Sequence, residues 1–278
     1  MSVWFVTGAS RGFGAEIVGQ ALAAGHQVVG TARDPQSVTS QFPDAGDQLL
    51  AVALDVTDEA AAQAAVAAAV ERFGRIDVVV NNAGRGLLSA VEEASDAAVR
   101  GVYDANVFGV LNVLRAVLPT LRAQRSGHII NLSSIGGFAS SAGWGVYCST
   151  KFALEGISEA LADEVGPLGI SVTIVEPGYF RTDFLDASSL HTEFNEIEDY
   201  AATAGATRAH AATANHNQPG DPVKAVAAIL QLGATEKPPL RIQLGSDAFA
   251  GIAAKLDFVA AEQKAWRDLS VSTDFDDA

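Results

Sequence analysis

The chain of 278 residues has a single cysteine, Cys148, so no intrachain disulfide is possible. A reducing, cytoplasmic setting fits that scarcity. Basic side chains are also few: 18 lysines and arginines stand against 33 acids, a formal net charge of −15. That balance argues against nucleic acid or an anionic membrane surface as the main partner. No cluster of metal-ligating residues is visible; the five histidines (His26, His128, His191, His210, His216) fall outside every motif described below and read as structural or solvated. The longest alanine-rich stretch, around 60–70, is shorter than the roughly 20 apolar residues a membrane span needs. No signal peptide is expected either, because Val3–Val6 run directly into a glycine loop. No internal repeat is visible.

Hydrophobic residues are plentiful at 49%, enough for a sizeable core. Strand-like runs are expected at Val3–Thr7, Gln27–Ala32, Leu49–Leu54, Val78–Asn81, His128–Leu132, Ser171–Glu176 and Arg241–Leu244. Helical stretches lie near 13–24, 59–73, 96–122 and 147–165. This alternation predicts an α/β fold: a doubly wound parallel sheet of about seven strands, of Rossmann type, with helices on both faces. The whole chain reads as one domain. Residues 183–221 interrupt the pattern and are expected to be a substrate lid of one or two helices. Residues 247–278 read as a helical extension with a frayed acidic tail from Asp274.

Directly after the first strand comes Thr7-Gly8-Ala9-Ser10-Arg11-Gly12-Phe13-Gly14. Glycines between a strand and a helix allow tight turns and close approach of a pyrophosphate, which the helix N–H groups then receive. The second strand ends Thr31-Ala32-Arg33-Asp34, so the place where an acid would bind a ribose 2′-hydroxyl falls on Ala32. Arg33 and, within the glycine loop, Arg11 favour a 2′-phosphate and hence NADP(H). The rival reading uses Asp34 as the ribose acid and predicts NAD(H).

Tyr147 and Lys151 are four residues apart, which puts them on one helix face. A fixed cation beside a phenol is expected to draw its pKa down toward working pH. Ser134 precedes Tyr147 by thirteen residues. A hydroxyl there and the tyrosine can donate to the same carbonyl oxygen, stabilising charge as it develops. Ser133 is the neighbouring candidate. Cys148, with no histidine near it in sequence, reads as a small packing residue.

Together, Thr7–Gly14, Asp55-Val56, Asn81-Asn82-Ala83-Gly84, Asn106, Ser134, Tyr147/Lys151, Pro177-Gly178 and Thr182 resemble the short-chain dehydrogenases/reductases in their short-form branch, from Val3 to about Gly245. The resemblance implies a cofactor site of Gly8, Ser10, Arg11, Gly12, Phe13, Gly14, Arg33, Asp55, Val56, Asn82, Ala83, Gly84, Pro177, Gly178 and Thr182, together with Tyr147 and Lys151. In it, Asp55 and Val56 hold the adenine, although Asp55 alternatively reads as a cap for a helix over 58–73. Thr182 contacts the nicotinamide carboxamide, with transfer from the pro-S side. It implies Ser134, Tyr147, Lys151 and Asn106 as the catalytic group, Lys151 also binding the nicotinamide ribose and Asn106 holding a proton-relay water. The implied activity is NADP(H)-dependent hydride transfer between a nicotinamide and a carbonyl or secondary alcohol. Family placement puts Gly86, Leu87, Phe138, Trp144, Tyr179, Phe180, Phe184 and Leu185 near the substrate, whose aromatic members favour an apolar ketone or aldehyde. A nucleotide-sugar enzyme of the related extended fold usually has a different glycine spacing. A non-catalytic NADP(H)-binding sensor of the same fold is the remaining alternative. Relatives commonly form dimers or tetramers; a homo-oligomer and a monomer both stay open.

Overall fold

The computed structural model describes residues 1–192 and 195–275. Seven parallel strands make the central sheet: β1 (Val3–Val6), β2 (Gln27–Ala32), β3 (Leu49–Ala53), β4 (Val78–Asn81), β6 (Gly127–Leu132), β7 (Ile170–Pro177) and β9 (Arg241–Leu244). Their order is β3-β2-β1-β4-β6-β7-β9, with register such as Phe5 opposite Val29 on one side and Val79 on the other. Two short strands, β5 (Gly86–Leu88) and β8 (Leu190–Thr192), pair separately; the sequence pattern gave no sign of them.

The period of two in β1 shows how the sheet is covered. Val3 and Phe5 face one core, with Ala62, Ala65, Val66 and Ala69 of α3 (Glu59–Phe73). Trp4 and Val6 face the other, with Ile17, Val18 and Ala21 of α1 (Gly12–Ala23) and Val226 and Ile229 of α8 (Pro222–Gly233). The first core is completed by α5 (Gly109–Gln124) and α6 (Gly145–Val165). Burial on both faces explains why these strands are almost continuously apolar.

Local signals set the helix ends. Asp58 accepts from the Ala61 N–H at 3.1 Å to cap α3, and Gly74 ends it at φ 77°. Asp58, not Asp55, is therefore the cap. Asp221 with Pro222 at the first helical position starts α8. The expected helix over 96–122 is present as one continuous run, Asp96–Gln124, made of α4 (Asp96–Tyr103), a π-helical turn at Asp104–Phe108, and α5. By length and composition 96–124 would suffice to cross a membrane, but Val110, Val113, Leu114, Val117 and Leu121 are core residues. The smaller helices are α2 (Gln36–Thr39), α7 (Ala206–Ala214), α9 (Ser246–Ala265) and α10 (Arg267–Val271).

The segment over 183–221 contains β8 and α7. Arg208 of α7 meets the buried Glu93 carboxylate at 2.6 Å, and Glu93 also accepts from the N–H groups of Ala90 (2.8 Å) and Ile197 (3.0 Å). The Arg208 hydrogen bond holds the Glu93 carboxyl at about 2, well below its usual range. The segment's two ends lie together: Gly220 donates to the Tyr179 carbonyl at 3.0 Å, and Arg181 donates its N–H to Gly220 at 3.0 Å. The expected frayed tail lies partly outside the described residues, at 276–278.

Candidate active site

Loops leaving the carboxyl ends of β1, β2, β3, β4, β6 and β7 converge on one cavity of about 760 Å³. Its floor is the glycine loop. Gly8 and Gly12 adopt φ 67° and 55°, where side-chain-bearing residues are strained. Gly14 is needed for a different reason: a Cβ there would lie 2.1 Å from the Gly8 carbonyl oxygen and 2.6 Å from Asn82 Nδ2. The loop is fixed from the β4 side, since Asn82 Nδ2 donates to the carbonyls of Thr7 (2.9 Å) and Gly8 (3.1 Å). Thr7 Oγ1 accepts in return from the N–H groups of Asn82 and Ala83, each at 3.0 Å. Helix α1 begins with no side chain capping its N–H groups and no acid in its first turn. This leaves a positive helix end facing the loop, suited to a phosphate.

Gly8, Ser10, Arg11, Gly12 and Phe13 line the cavity, while Gly14 lies behind them as a packing contact. Asp55 and Val56, the residues expected to hold the adenine, line the cavity, as do Asn82, Ala83, Gly84, Pro177, Gly178 and Thr182. Asp55 Oδ1 accepts from the N–H and hydroxyl of Thr57, at 3.0 and 2.8 Å. At the end of β2, Ala32 and the exposed Arg33 reach the cavity. Asp34 does not line it; its carboxylate accepts from the Gln36 N–H at 3.0 Å instead. Arg11 donates through Nη2 to the Ser188 carbonyl at 2.7 Å, spanning from the glycine loop to the 183–221 segment. Arg11 is therefore engaged by the 183–221 segment, while Arg33 lines the cavity at the end of β2.

Ser134, Tyr147 and Lys151 line the same cavity. Tyr147 is 7% exposed and boxed by the rings of Trp144 (5.6 Å) and Phe184 (5.5 Å). Burial raises its pKa above the usual phenol range, and its hydrogen bond with Ser134 offsets part of that rise. This corrects the expectation that Lys151 would draw the phenol down: desolvation of a phenolate among aromatic rings is the largest effect. Lys151 donates to the Leu132 carbonyl at 2.7 Å, with its ammonium 5.9 Å from the Tyr147 ring centroid. Burial lowers the Lys151 pKa to about 8, partly countered by the charge of Glu155 one turn on.

Asn106 sits in the π-helical turn behind this wall, 1% exposed and outside the cavity lining. Its Nδ2 donates to the Arg85 carbonyl (2.9 Å) and Thr150 Oγ1 (3.0 Å), and its Oδ1 accepts from the Arg85 N–H (2.9 Å). Thr150 in turn donates to the Tyr147 carbonyl at 2.7 Å. Asn106 thus braces the loop after Gly84 against the tyrosine helix.

The substrate-side readings divide. Trp144, Tyr179, Phe180, Phe184 and Leu185 line the cavity; Gly86, Leu87 and Phe138 do not. Gly86 and Leu87 are consumed by the small β5–β8 sheet, where Leu87 is 1% exposed. Residues not anticipated at the site include Ser140, Ser141, Cys148, His191 and Gln218. Pairing of β8 with β5 brings His191 in, and nothing in its sequence neighbourhood signals that pairing.

Compared with known proteins, residues 2–193 match the family described as short chain dehydrogenase. An oxidoreductase of Botryotinia fuckeliana, BOA17, is 40% identical, with 98% of each chain covered. A 3-ketodihydrosphingosine reductase of Bacteroides thetaiotaomicron is 40% identical over 86% of each. Among solved structures, a short-chain dehydrogenase from Streptomyces avermitilis has a TM-score of 0.90 at 44% identity, covering 99% of this chain and 100% of its own. A serine dehydrogenase complexed with NADP+ has a TM-score of 0.74 at 27% identity, covering 87% and 94%. A Burkholderia phymatum protein in complex with NAD shares the fold at 23% identity, with a TM-score of 0.83 and coverage of 94% and 95%.

Proposed function

Since the chain belongs to the short-chain dehydrogenase family of oxidoreductases, whose structural neighbours bind NAD or NADP, we propose that it is an NADP(H)-dependent reductase of apolar ketones or aldehydes, working in reverse on secondary alcohols. The observation that carries this reading is the meeting of Ser134, Tyr147 and Lys151 in an aromatic-walled cavity continuous with the glycine loop. The residues present fit a dinucleotide: Gly8 and Gly12 open the loop, the start of α1 is uncapped, and Asp55 and Arg33 face the cavity. A bound nicotinamide supplies or takes up the hydride.

The chain's own groups manage the oxygen. Tyr147, kept protonated by burial, gives its phenolic proton to a carbonyl oxygen. Ser134 donates a hydrogen bond to the same oxygen, so charge developing there meets two aligned donors. Lys151, held by Leu132, keeps a cation beside the phenol as its proton leaves. In the alcohol-oxidising direction Tyr147 accepts the proton. Trp144, Phe184 and Leu185 exclude water and favour an apolar substrate. The relative named for a 3-keto substrate supports a ketone. Residues 183–221 act as the lid, placing Phe184, Leu185 and His191 at the cavity. Arg33 at the cavity, with the Asp34 carboxylate accepting from the Gln36 N–H outside it, supports NADP over NAD.

The test is oxidation of NADPH and NADH, side by side, over a panel of apolar ketones and aldehydes. Turnover that prefers NADPH, loses that preference in Arg33→Ala and falls about 10²- to 10⁴-fold in Tyr147→Phe supports the proposal. Preference for NADH overturns the cofactor assignment. Binding of either nucleotide with no turnover across the panel overturns the substrate assignment.

A further inference from the structure

Four charged side chains gather beyond Lys151, outside the cavity lining. Glu155, one turn further along α6, is 6% exposed, and Glu176 on β7 is fully buried. Arg241 reaches in from the edge strand β9: its Nε lies 3.0 Å from Glu155 Oε2 and 3.6 Å from Glu176 Oε1. The exposed Glu159 accepts from Arg241 Nη2 at 2.6 Å. Gln243, also on β9, donates to Glu176 Oε2. Neither buried carboxylate has a part in the proton transfer described above.

Two buried carboxylates in contact with one guanidinium leave one negative charge over, and a buried ion needs a partner. Lys151 is the neighbouring buried cation, 8% exposed. Residues four apart on a helix are neighbours, with Cβ atoms about 5–6 Å apart, so Lys151 and Glu155 share a face. The charges then cancel, Lys151 and Arg241 against Glu155 and Glu176. Glu155 is fixed from two sides. Arg241 binds one carboxylate oxygen, and the turn Ile135–Gly137 packs on the other: a Cβ on Gly137 would lie 2.9 Å from Glu155 Oε1 and 3.0 Å from its Cγ. Burial pushes the Glu155 carboxyl up and Glu176 adds to the rise, while Ser133 and Arg241 pull against it.

The other titratable groups around Lys151 come from several elements. Tyr147 and Cys148 stand on α6, Arg85 follows β4, and Tyr179 and Asp183 follow β7, all at the cavity. Burial lowers the Lys151 pKa, and Glu155 is the charge that opposes the fall. We propose that Glu155 is a positioning residue for proton transfer: its carboxylate, fixed by Arg241, is the counter-ion that keeps Lys151 charged beside Tyr147. The strand β9 is thereby tied to the chemistry, although none of its residues lines the cavity. This role rests on the reductase reading above.

Lysine side-chain NMR of the full chain tests it. The chain has five lysines, and the Lys151 signal is identified by its loss in Lys151→Arg. The wild-type signal should titrate at about 8. Removing an opposite charge at this range lowers a lysine pKa by about one unit, so the midpoint should fall by that amount in Glu155→Gln. With the lysine less charged, carbonyl reduction by Glu155→Gln should drop about fivefold at pH 8 and little at pH 6. Glu159→Gln removes another Arg241 partner and should leave the midpoint in place. Glu155→Asp holds the charge a methylene further off and should lower the midpoint by about half a unit; it gives the answer where Glu155→Gln does not fold. An unchanged midpoint in the folded Glu155 variants, or an activity loss equal at every pH, overturns the proposal, because a purely structural brace predicts both. The midpoint is read without turnover. A shifted midpoint in a chain that turns over no carbonyl therefore supports the ion pair and overturns the reductase reading instead.

Discussion

Gly14→Ala tests the geometry of the nucleotide cradle most directly. The added methyl would lie 2.1 Å from the Gly8 carbonyl, whereas ordinary contact begins at 3.4 Å, so a gap of 3.4 − 2.1 = 1.3 Å must open. The obstacle is backbone, and Asn82 pins that backbone through the carbonyls of Thr7 and Gly8. No rotamer change can relieve the clash; α1 must retreat from the loop. Overpacking of this kind costs about 1–3 kcal/mol, and each kcal/mol lowers the melting temperature by roughly 2–4 °C in a chain of this size. Displacing the loop by about 1 Å is enough to cost on the order of 10²-fold in a positioned site. Gly25→Ala supplies the control, because Gly25 has φ 78° and nothing within 4 Å of its would-be Cβ. It should lose about 1–2 kcal/mol through backbone strain alone, with nucleotide affinity unchanged. Thermal melts and fluorescence titration with NADPH separate the two effects. Wild-type affinity and melting in Gly14→Ala would refute the reasoning.

Two further perturbations report on stability and on the insertion. His128 is 6% exposed; Thr173 Oγ1 donates to the Pro239 carbonyl, so His128 Nε2 is the donor in its 2.9 Å bond to Thr173. Burial lowers its pKa from 6.5 to about 4, so the unfolded chain binds the extra proton in that window and stability falls as pH drops through it. The loss is about 3 kcal/mol; urea midpoints measured from pH 7 to 4 should decline less in His128→Gln. Arg208→Ala leaves the Glu93 carboxylate buried beside two backbone donors without its cation. It should cost about 3–5 kcal/mol, seen as faster hydrogen exchange and proteolysis over 197–214, and an unchanged exchange pattern there would count against the clamp.

The sheet was legible because each of its strands is an apolar run buried on both faces, and the glycine loop because its strand–turn–helix context is local. Tyr147, Lys151 and Ser134 were legible for the same reason: two lie on one helix face and the third ends the adjoining strand. What escaped depends on contacts remote in sequence. Gly86 and Leu87 looked like pocket residues until β8, about a hundred positions later, claimed them by pairing. Gln218 reaches the cavity only because the chain returns to Gly220. The π-helical turn at Asp104–Phe108 has no proline or cap to announce it, and the start of α8 at Asp221-Pro222 is also the signature of a loop, so it does not by itself announce a helix. The direction of the Tyr147 shift was misjudged because spacing shows the neighbouring cation but not the aromatic box that removes water.

The closure at Phe180 and Gly220 has a consequence for how such a chain can change. Some forty residues leave and re-enter the body at one point, so their ends are already held together whatever lies between. Loop-closure entropy grows only logarithmically with length, about 0.6 kcal/mol per doubling. Away from the contacts that Phe184, Ser188 and Arg208 make with the body, residues can therefore be inserted or deleted between these two anchor points with little effect on the sheet. The segment lying over the cavity is thus freer to diversify than the sheet and glycine loop beneath it.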